Sequence, residues 1–558
     1  MAGGVKKPVN IFKLKDLGEP KGVFNWRLWF AVLSFGLLGA ARGVDEGLIN
    51  GAFDSKVFQS TINYASYGAT EQAQIKANVA AMVQVGSVAG ALIAFLICDR
   101  IGRIWATRQL CVLWILGIAI FMGHGNSLGA VYAGRFIAGL GVGQTTVVGP
   151  VYIAEIAPAS VRGLCTCVFT GAVYLGIVLA YFTNYGAQVN LGDTTNNRWL
   201  VPTSLHIIFA GIIIILTFFQ SESPRYLVKK GQYDEAVTAM SRIRQLPPDH
   251  PYLIREMSEI RSSHEEEMEA TMGSSWTGVV KEMFLIPSNA YRLYLALSVQ
   301  LLSQWSGAGS ITLYAPDLFD LLGVEGTEQK LLTSAVFGIV KFVSALLCAL
   351  FLVDVIGRKR SLLIGISLQA LSVIYIAGFL TAVPELGIDD SYVLPPNEKA
   401  ASRGAIAMIF ISGAGWALGW NSMQYLLTAE LFPLRIRALS TSLAMTLHFV
   451  NQYGNSRAVP VLLLSTQLGG ITPKGTFWFF SAVTVIGGIW VWFFVPETGG
   501  RSLESMNRLF ALPWYQIGRR GNEDAERMDV VYNEKETDTY HGEAKHVEAG
   551  TEVGKERI

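Results

Sequence analysis

Long, strongly apolar blocks constrain the fold of this 558-residue chain more than any other feature. Ile207–Phe219, Ala335–Val353 and Phe477–Val495 consist almost entirely of aliphatic, aromatic and small residues. About 20 apolar residues in a helix cross the hydrocarbon core of a bilayer, because each adds about 1.5 Å. Charged residues make up only 16% of the chain, against about 25% in soluble domains. The sequence therefore predicts an all-α membrane protein.

Twelve segments are apolar enough to be predicted as membrane spans, and the fourth, tenth and eleventh are interrupted by Gly, Asn or Pro. Their predicted bounds are 28–51, 77–97, 105–123, 127–149, 164–186, 199–219, 290–315, 331–353, 361–382, 404–428, 438–463 and 475–496. The longest polar interruption holds two stretches typical of amphipathic helices, Tyr233–Arg244 and Leu253–Thr271.

These features divide the chain into five segments. The predicted segments are a cytoplasmic N-terminal segment of residues 1–27, a six-helix bundle of 28–220, a cytoplasmic linker of 221–289, a second six-helix bundle of 290–497 and a cytoplasmic tail of 498–558. The polar, charge-rich composition of the tail predicts that it is largely disordered.

The loops after the even-numbered spans carry most of the loop Lys and Arg. Asp99–Arg103 follows the second span and Asp354–Arg360 follows the eighth. Because short cytoplasmic loops carry an excess of basic residues, both termini and the linker are predicted to be cytoplasmic. The N-terminal segment has no short apolar core with a small-residue cleavage site, so the first span is predicted to target the chain to a membrane by itself. The predicted location is the plasma membrane, and the vacuolar membrane is the alternative.

Three motifs recur in the same order in the two halves. Ala154–Gly163 and Ala429–Ala438 share the spacing of Glu, Pro and Arg, and an Asp-x-Ile-Gly-Arg loop follows the second span of each half. Glu222 and Glu497 each follow a sixth span. With an even number of spans per half, both halves enter the membrane from the same side, so the repeat predicts a pseudo-twofold axis along the membrane normal. Two such halves can rock around a site held between them, as transporters require.

A longer series of motifs runs through the chain, at Arg42–Gly47, Asp99–Arg103, Gly134–Gly143, Pro150–Arg162, Glu222–Arg225, Gln304–Gly307, Asp354–Arg358, Ala429–Arg437 and Pro496–Gly500. In this order they resemble the sugar porter family of the major facilitator superfamily, especially its fungal sugar, quinate and sugar-acid permeases. The resemblance implies a major facilitator fold of twelve transmembrane helices in two pseudo-symmetric bundles with a cytoplasmic helical linker. It also implies alternating access and uptake of monosaccharides or related polyols, in many members coupled to protons.

Acidic and basic residues cluster at the predicted cytoplasmic ends of both halves. One interpretation is a gate of ion pairs that closes the inner side while the site faces outward, which the matching acid-to-Arg spacing favours. The alternative is stop-transfer charge and helix capping. Exposed ion pairs are individually worth only about 0–1 kcal/mol, which suits a gate that must open. The gate candidates are Asp99, Arg103, Glu155, Arg162, Glu222, Arg225, Asp354, Arg358, Glu430, Arg437 and Glu497.

Ionisable residues inside a span are costly, so each is a functional candidate. Asp45 lies in the outer half of the first span, and the resemblance implies that Arg135 of the fourth span faces it. A carboxylate beside Arg stays ionised, whereas withdrawal of the Arg in a dry site favours protonation. The pair is thus predicted to take up a proton outside and release it inside. The alternatives are a static Asp45–Arg135 pair and a local contact between Asp45 and Arg42, three residues earlier.

The resemblance implies that solute contacts come mainly from the second half. Gln304 matches a sugar-binding Gln, Asn451 matches a polar contact and Tyr314 keeps an aromatic position. Amides suit hydroxyl-rich solutes because they both donate and accept hydrogen bonds. The other predicted contacts are Tyr174, Gln300, Ser303, Asn421 and Tyr425.

Lys341 departs most from the family pattern, because it stands where sugar-binding members often carry Asn. It lies about ten residues into its span, near the bilayer midplane, where a Lys cannot easily reach the interface. A basic site suggests an anionic solute such as quinate or a uronic acid. Alternatively, Lys341 pairs with an internal acid and never meets the solute.

Other classes of function have little support in the sequence. The net charge is only +1, and there is no basic, aromatic-rich patch of the kind that binds nucleic acid. No nucleophile elbow, P-loop or cluster of metal ligands points to an enzyme, a cofactor or a metal site. We predict a monomeric, bilayer-embedded proton symporter of a small solute. A passive uniporter is the nearest alternative, and a nutrient sensor on the same fold is another, which the short tail disfavours.

Overall fold

The computed structural model describes residues 20–53, 55–158, 161–192, 194–270, 276–324, 326–352, 356–386, 395–432, 434–498, 509–510 and 512–518. Within these ranges the regular structure is helical, without a β-strand. The all-α prediction is therefore confirmed. Residues 1–19 of the predicted N-terminal segment and most of the predicted disordered tail lie outside the described residues.

Six long helices form the first half of the chain. They coincide with the predicted spans to within a few residues or extend them, and one short helix lies between the first two. In chain order they are α1 (Trp26–Phe53), the short α2 (Lys56–Thr61), α3 (Ala69–Ile101), α4 (Arg103–Met122), α5 (Leu128–Ile156), α6 (Arg162–Asn190) and α7 (Asn197–Thr217).

Four shorter helices form the linker, and the amphipathic stretches predicted there are among them. They are α8 (Pro224–Lys229), α9 (Tyr233–Arg244), α10 (Pro251–Ala270) and α11 (Trp276–Leu285). Arg244 bonds to both carboxylate oxygens of Glu256 at 3.0 and 2.6 Å. Its Nη1 also donates to the Ile156 carbonyl oxygen at the end of α5, at 2.8 Å. The linker is thus fastened to one end of the first bundle, which we call the linker side.

The second half also has six spans, but two of them are broken. The seventh is divided after Trp305, where Gly307 has a φ of +88°. The tenth contains a π-helical turn, Ala417–Asn421, and the eighth ends in another, Cys348–Leu352. The helices are α12 (Pro287–Trp305), α13 (Ala308–Leu313), α14 (Ala315–Leu321), α15 (Thr327–Leu347), α16 (Arg358–Ala382), α17 (Pro396–Trp416), α18 (Ser422–Leu431), α19 (Leu434–Leu462) and α20 (Thr472–Phe494).

Among the described residues, ten helices are long and apolar enough to cross a bilayer by length and composition alone. The seventh and eleventh spans do not meet these criteria of length and composition, for physical reasons. The seventh is broken into α12, α13 and α14, and α19 carries buried polar side chains such as His448 and Asn455. Both departures lie where the two halves meet.

Contacts between the halves repeat when the halves are exchanged. The second span, α3, packs along the eleventh, α19, and the eighth span, α15, packs along the fifth, α6. Advancing each helix by six spans converts the first pair into the second, as a twofold axis between the halves requires. Within the halves, α4 packs on α5 and α7 as α16 packs on α17 and α20. The chain therefore consists of two pseudo-symmetric six-helix bundles, as the predicted major facilitator fold requires.

Glycines set the orientation of α1 within the first bundle. A Cβ on Gly43 would lie 1.8 Å from the Val173 carbonyl oxygen of α6, so only Gly permits this contact. With that face held against α6, other faces of α1 meet α5 and α7 inside the bundle and α13 across the boundary with the second bundle.

Candidate functional site

Two buried charged side chains meet inside the first bundle. Arg135 of α5 donates from Nη1 and Nη2 to the two carboxylate oxygens of Asp45 on α1, at 2.6 and 3.4 Å. Both side chains are only 3% exposed, and Arg135 also donates to the Val79 carbonyl oxygen at 3.2 Å. The structure thus brings together the two residues predicted for proton coupling. It adds His206 of α7, whose Nε2 lies 3.6 Å from Asp45 Oδ1.

Arg42, also on α1, faces the second bundle. It donates from Nε to Glu46 Oε1 at 3.1 Å and from Nη1 to the Tyr425 hydroxyl. Its Nη2 lies 2.8 Å from His448 Nε2 and 3.3 Å from Gln452 Oε1. Gln452 Nε2 in turn donates to Glu46 Oε1 at 2.9 Å. These five residues form what we call the central polar network, which joins the two bundles through Arg42.

Asp45 and Glu46 are neighbours in sequence but serve different environments. Consecutive residues of a helix point about 100° apart, so Asp45 faces into the first bundle while Glu46 faces the boundary between the bundles. Among the described contacts, Arg42 pairs with Glu46 and has none with Asp45. The alternative of a local Arg42–Asp45 contact is therefore wrong.

Amides of α12 extend the central polar network. Because Arg42 always donates, His448 Nε2 accepts and His448 Nδ1 carries the ring proton. That proton goes to Gln300 Oε1 at 2.9 Å. Gln304 Nε2 lies 3.2 Å from the same ring nitrogen, but it cannot donate to a nitrogen that already bears hydrogen. Gln304 therefore keeps amide donors available in the buried interior, while the Ser303 hydroxyl donates to Gln424 Oε1 at 3.1 Å.

Lys341 of α15 is enclosed by hydroxyl and aromatic groups. Its Nζ lies 2.5 Å from Thr312 Oγ1, and 5.1 and 5.4 Å from the ring centroids of Tyr174 and Phe337. Thr312 donates its own hydroxyl to the Ala308 carbonyl oxygen, so it accepts from Lys341. No described carboxylate lies within ion-pair distance of Lys341, and the alternative of an internal acid therefore finds no partner in the described part of the chain. The buried Tyr174 hydroxyl has no hydrogen-bond partner among the described residues.

The remaining predicted solute contacts differ in how far their polar groups are already satisfied. Tyr314 donates to the Ser456 carbonyl oxygen at 2.8 Å, and Asn451 accepts from Trp305 Nε1 at 3.0 Å. Asn421 lies in the π-helical turn, and its buried Nδ2 has no partner in the described ranges. Asn421 is thus available to a solute, whereas the first two contact their own bundle.

The bundles also contact each other on both sides of this polar region. On the side opposite the linker, Lys76 of α3 donates to both carboxylate oxygens of Asp317 on α14 at 2.9 Å. Toward the linker side, the Ser442 hydroxyl of α19 donates to the Ala91 carbonyl oxygen of α3 at 3.0 Å. The polar groups are therefore enclosed between the bundles.

The described gate residues Asp99, Arg103 and Glu155 pair within the first half. Arg103 bonds to both carboxylate oxygens of Glu155 at 2.9 and 2.6 Å and lies 3.6 Å from Asp99. Asp99 also accepts from Lys229 of α8 at 2.8 Å. These contacts tie α3, α4, α5 and the linker together, and none of them crosses to the second bundle.

The other predicted gate residues are described less completely. Arg225 is half-buried on α8, and its Nε has no hydrogen-bond partner in the ranges described. On the same helix, burial raises the pKa of the Tyr226 hydroxyl, so it stays neutral beneath the Arg103 guanidinium, 5.0 Å from the ring centroid. Four predicted gate residues have side chains outside the described part of the chain, namely Arg162, Asp354, Glu430 and Arg437.

Glu222 and Glu497 each cap a helix of their own bundle. The Glu222 carboxylate accepts from the first two backbone N–H groups of α4 at 3.0 and 3.1 Å. The Glu497 carboxylate accepts from the first two of α16, which begins at Arg358, at 2.7 and 3.1 Å. A carboxylate there satisfies N–H groups that lack helical partners and interacts favourably with the helix dipole. The capping interpretation thus describes these two acids in this structure.

The glycine before α4 makes the capping testable. Gly102 has a φ of +88°, and a Cβ there would lie 2.5 Å from Glu222 Oε2, whereas Gly231 has a φ of +76° and open space around it. The positive φ disfavours Ala at both positions, by about 1–3 kcal/mol. Only Gly102→Ala also displaces the carboxylate, at about 1 kcal/mol more. We expect Gly102→Ala to lower the Tm of the purified protein more than Gly231→Ala, and equal Tm values would contradict the capping role.

Several residues near the site were not among the sequence predictions. Glu46, His206 and Gln452 were absent from the candidate set, and Arg42 and His448 had no assigned role. Arg42 and Glu46 are four residues apart, as are His448 and Gln452, and this spacing of polar residues within a span was a usable signal. No comparable signal joins His206 to Asp45. In the part of the chain that the structure describes, no group of three or more His, Cys, Asp or Glu is placed to hold a metal ion.

Two related six-helix bundles that enclose buried polar groups define a transporter of the major facilitator superfamily. The model of the family described as "Sugar (and other) transporter" matches residues 31–510. The chain belongs to this family.

Relatives and solved structures agree with this assignment. The chain is 30% identical over 530 residues to the quinate permease of Emericella nidulans, across 93% of this chain and 96% of that protein. It is 29% identical over 499 residues to the probable quinate permease of Aspergillus niger, across 89% and 90%. The structure of the proton:xylose symporter XylE bound to 6-bromo-6-deoxy-D-glucose aligns with a TM-score of 0.72 and 21% identity, across 87% of this chain and 99% of that one. At this identity the structural similarity supports the fold.

Proposed function

We propose that this protein imports a small polyhydroxylated solute (a monosaccharide, a polyol or a sugar acid) by proton symport and alternating access. In this proposal it lies in the plasma membrane with the linker side and both termini in the cytoplasm. The observation that carries the proposal is the buried Asp45–Arg135 pair on a helix that also contacts the second bundle through Arg42.

Proton coupling requires a carboxylate whose proton affinity changes with conformation. In the observed arrangement, Arg135 stabilises ionised Asp45 with two hydrogen bonds in a dry environment. Movement of α1 relative to α5 lengthens this ion pair and favours the protonated carboxylate. Because Arg42 and Glu46 lie on the same helix, rocking of the second bundle is transmitted directly to Asp45.

Solute binding is assigned to polar groups between the bundles. Gln304, Asn421 and Tyr174 have buried donors that the described protein contacts leave available. A buried donor without a partner costs free energy, so these groups favour a hydroxyl-bearing ligand. Gln300 and Tyr425 hold His448 and Arg42 beside them. Ser303, Tyr314 and Asn451 complete the lining through bonds within the second bundle.

A hydroxy acid is the second candidate solute, and Lys341 favours it. The Arg42 charge is balanced by Glu46, whereas Lys341 has no described carboxylate partner. The relatives named quinate permeases point the same way, since quinate carries both hydroxyl groups and a carboxylate. A carboxylate between Lys341 Nζ and the Tyr174 hydroxyl would contact both bundles, because α15 and α6 belong to different halves. Entry of one anion with one proton would also leave the net charge of the buried site region unchanged.

The linker-side charges are assigned to the gate. Arg103, Glu155 and Asp99 hold the inner end of the first bundle as a rigid body, which lets that end approach or leave the second bundle as a unit. The proposed gate also includes Arg162 of the first half and Glu430 and Arg437 of the second, whose side chains lie outside the described part of the chain. Glu222 and Glu497 support it by fixing the starts of α4 and α16.

Uptake in a host without its own transporters tests the proposal. A panel of neutral sugars, polyols and sugar acids is supplied with and without a proton uncoupler. We expect at least one polyhydroxylated solute to accumulate above its external concentration and the uncoupler to abolish that accumulation. Equilibration that ignores the uncoupler would indicate the passive uniporter instead, and no uptake across the panel would reject the solute class.

A further inference from the structure

His206 of α7 gives Asp45 a second basic neighbour. Its Nε2 lies 3.6 Å from Asp45 Oδ1, just beyond hydrogen-bond distance, and no described atom hydrogen bonds to it. The imidazole is buried and its ring meets the Trp114 ring of α4 edge-on, with centroids 5.8 Å apart. Buried polar atoms in native proteins nearly always have a partner, so this nitrogen and the facing carboxylate form an incomplete pair.

The hydrogen bond made by the other ring nitrogen, Nδ1, indicates which nitrogen of His206 bears hydrogen. His206 Nδ1 lies 3.0 Å from the Thr203 carbonyl oxygen, one turn earlier on α7. A carbonyl oxygen only accepts, so Nδ1 carries a proton, and in the neutral form of the ring the Nε2 lone pair points at Asp45 Oδ1. Two acceptors thus face each other in a water-poor interior. One added proton converts this repulsion into an Nε2–H···Oδ1 hydrogen bond.

The charges around this pair are compatible with the binding of one added proton. Among the described contacts of this pair, α1 contributes Asp45, α5 contributes Arg135 on the far side of the carboxylate, and α4 contributes the uncharged Trp114 ring. No charged or titratable contact from α6 is recorded in the described residues. The Asp45 carboxylate therefore lies between a permanent cation and a base that becomes a cation on protonation.

We propose that His206 and Asp45 bind the transported proton together. The proton binds to Nε2 of His206, and the new N–H group donates a hydrogen bond to Asp45 Oδ1. After the conformational change the same proton leaves Nε2, so the N–H bond is the only covalent bond made and broken. This inference rests on the proposed function, in which Asp45 is the coupling carboxylate. With His206 as the base, a proton can bind to the pair while Arg135 still holds Asp45, and lengthening of the Asp45–Arg135 ion pair makes that binding tighter.

The pH dependence of uptake tests the proposal. His206→Gln removes the base and sets an amide donor beside Asp45, which favours the ionised carboxylate. We expect the external pH of half-maximal uptake in proteoliposomes to move toward acid by about one unit or more, with counterflow exchange retained. The matched control is His124→Gln. His124 has the same 3.0 Å bond from Nδ1 to a carbonyl oxygen three residues earlier, but its Nε2 lies 3.1 Å from the Thr61 hydroxyl, so its pH profile is expected to stay unchanged.

A second variant tests the same pair in the opposite direction. His206→Glu places two carboxylates side by side, which share a proton and raise its affinity, so the half-maximal pH is expected to lie on the alkaline side of that of His206→Gln. Overlapping pH profiles for the wild type and both variants would overturn the shared proton while leaving coupling at Asp45 intact. Full uphill accumulation by Asp45→Asn would instead overturn the proposed function itself.

Discussion

Asp45→Asn is expected to abolish uphill accumulation of the solute while sparing counterflow exchange. Asn keeps the shape of Asp and can still accept a bond from Arg135, but it does not bind a proton, so solute movement loses its link to the proton gradient. A gradient of one pH unit supplies about 1.4 kcal/mol, enough for about tenfold accumulation. We expect that ratio for the wild type in proteoliposomes and about one for the variant.

Asp317→Asn is the matched control for this experiment. It makes the same chemical change in a carboxylate that pairs with Lys76 at the far end of the bundles, away from Asp45, and should preserve accumulation. Asn at position 45 leaves the buried Arg135 charge without its counter-charge, so some loss of stability is expected for Asp45→Asn. Exchange is therefore compared per folded molecule. Accumulation undiminished in Asp45→Asn would contradict the assignment and direct attention to Glu46, the other carboxylate of α1.

The positions of the spans were predictable because a bilayer permits only long helices whose backbone bonds are satisfied internally. The breaks were harder to predict. The seventh span was expected to be continuous, yet it turns at Gly307, where a Cβ would lie 2.5 Å from the Phe480 ring. Composition alone does not identify α19 as a membrane helix, since residues such as His448 and Asn455 face other helices rather than lipid.

The site was predictable only where a motif linked two residues. Asp45 and Arg135 belong to motifs of the family that the chain resembles, and the structure places them together. Arg42 meets Tyr425 and His448, which are 383 and 406 residues away. Such contacts depend on how two bundles pack, and the pattern within each helix shows which residues are polar without showing which of them meet.

The repeated acids illustrate a different limit of sequence reasoning. The matching positions of Glu222 and Glu497 revealed the duplication, but a spacing of charges does not distinguish a side-chain partner from a backbone partner. In the structure, both carboxylates accept from helix N–H groups. The symmetry was therefore readable in the sequence, whereas the kind of bond required coordinates.

Lys341→Asn is expected to lower the apparent affinity for an acid solute such as quinate at least tenfold. Removing Lys341 would take away a buried cation that has no described carboxylate partner, and hydrogen bonds to charged groups are worth about 1.5–3 kcal/mol, or about ten- to a hundredfold in affinity. A neutral sugar or polyol has no charge to lose, and Asn can still bond to hydroxyl groups, so its affinity is expected to change by less than about threefold. Competition between labelled and unlabelled solutes in proteoliposomes measures both.

Lys330→Asn is the control that distinguishes the loss of charge at the solute site from a general effect of replacing a Lys of α15. Lys330 lies on the same helix but pairs with Asp320 at 2.6 Å, so its replacement should leave the affinities for acid and neutral solutes alike. If Lys341→Asn weakened both kinds of solute equally, Lys341 would serve to hold Thr312 and the Tyr174 ring in place, and the preference for an anion would have no basis. A loss confined to the acid would assign the Lys341 ammonium to recognition of the carboxylate, because charge is what distinguishes the two kinds of solute at this position.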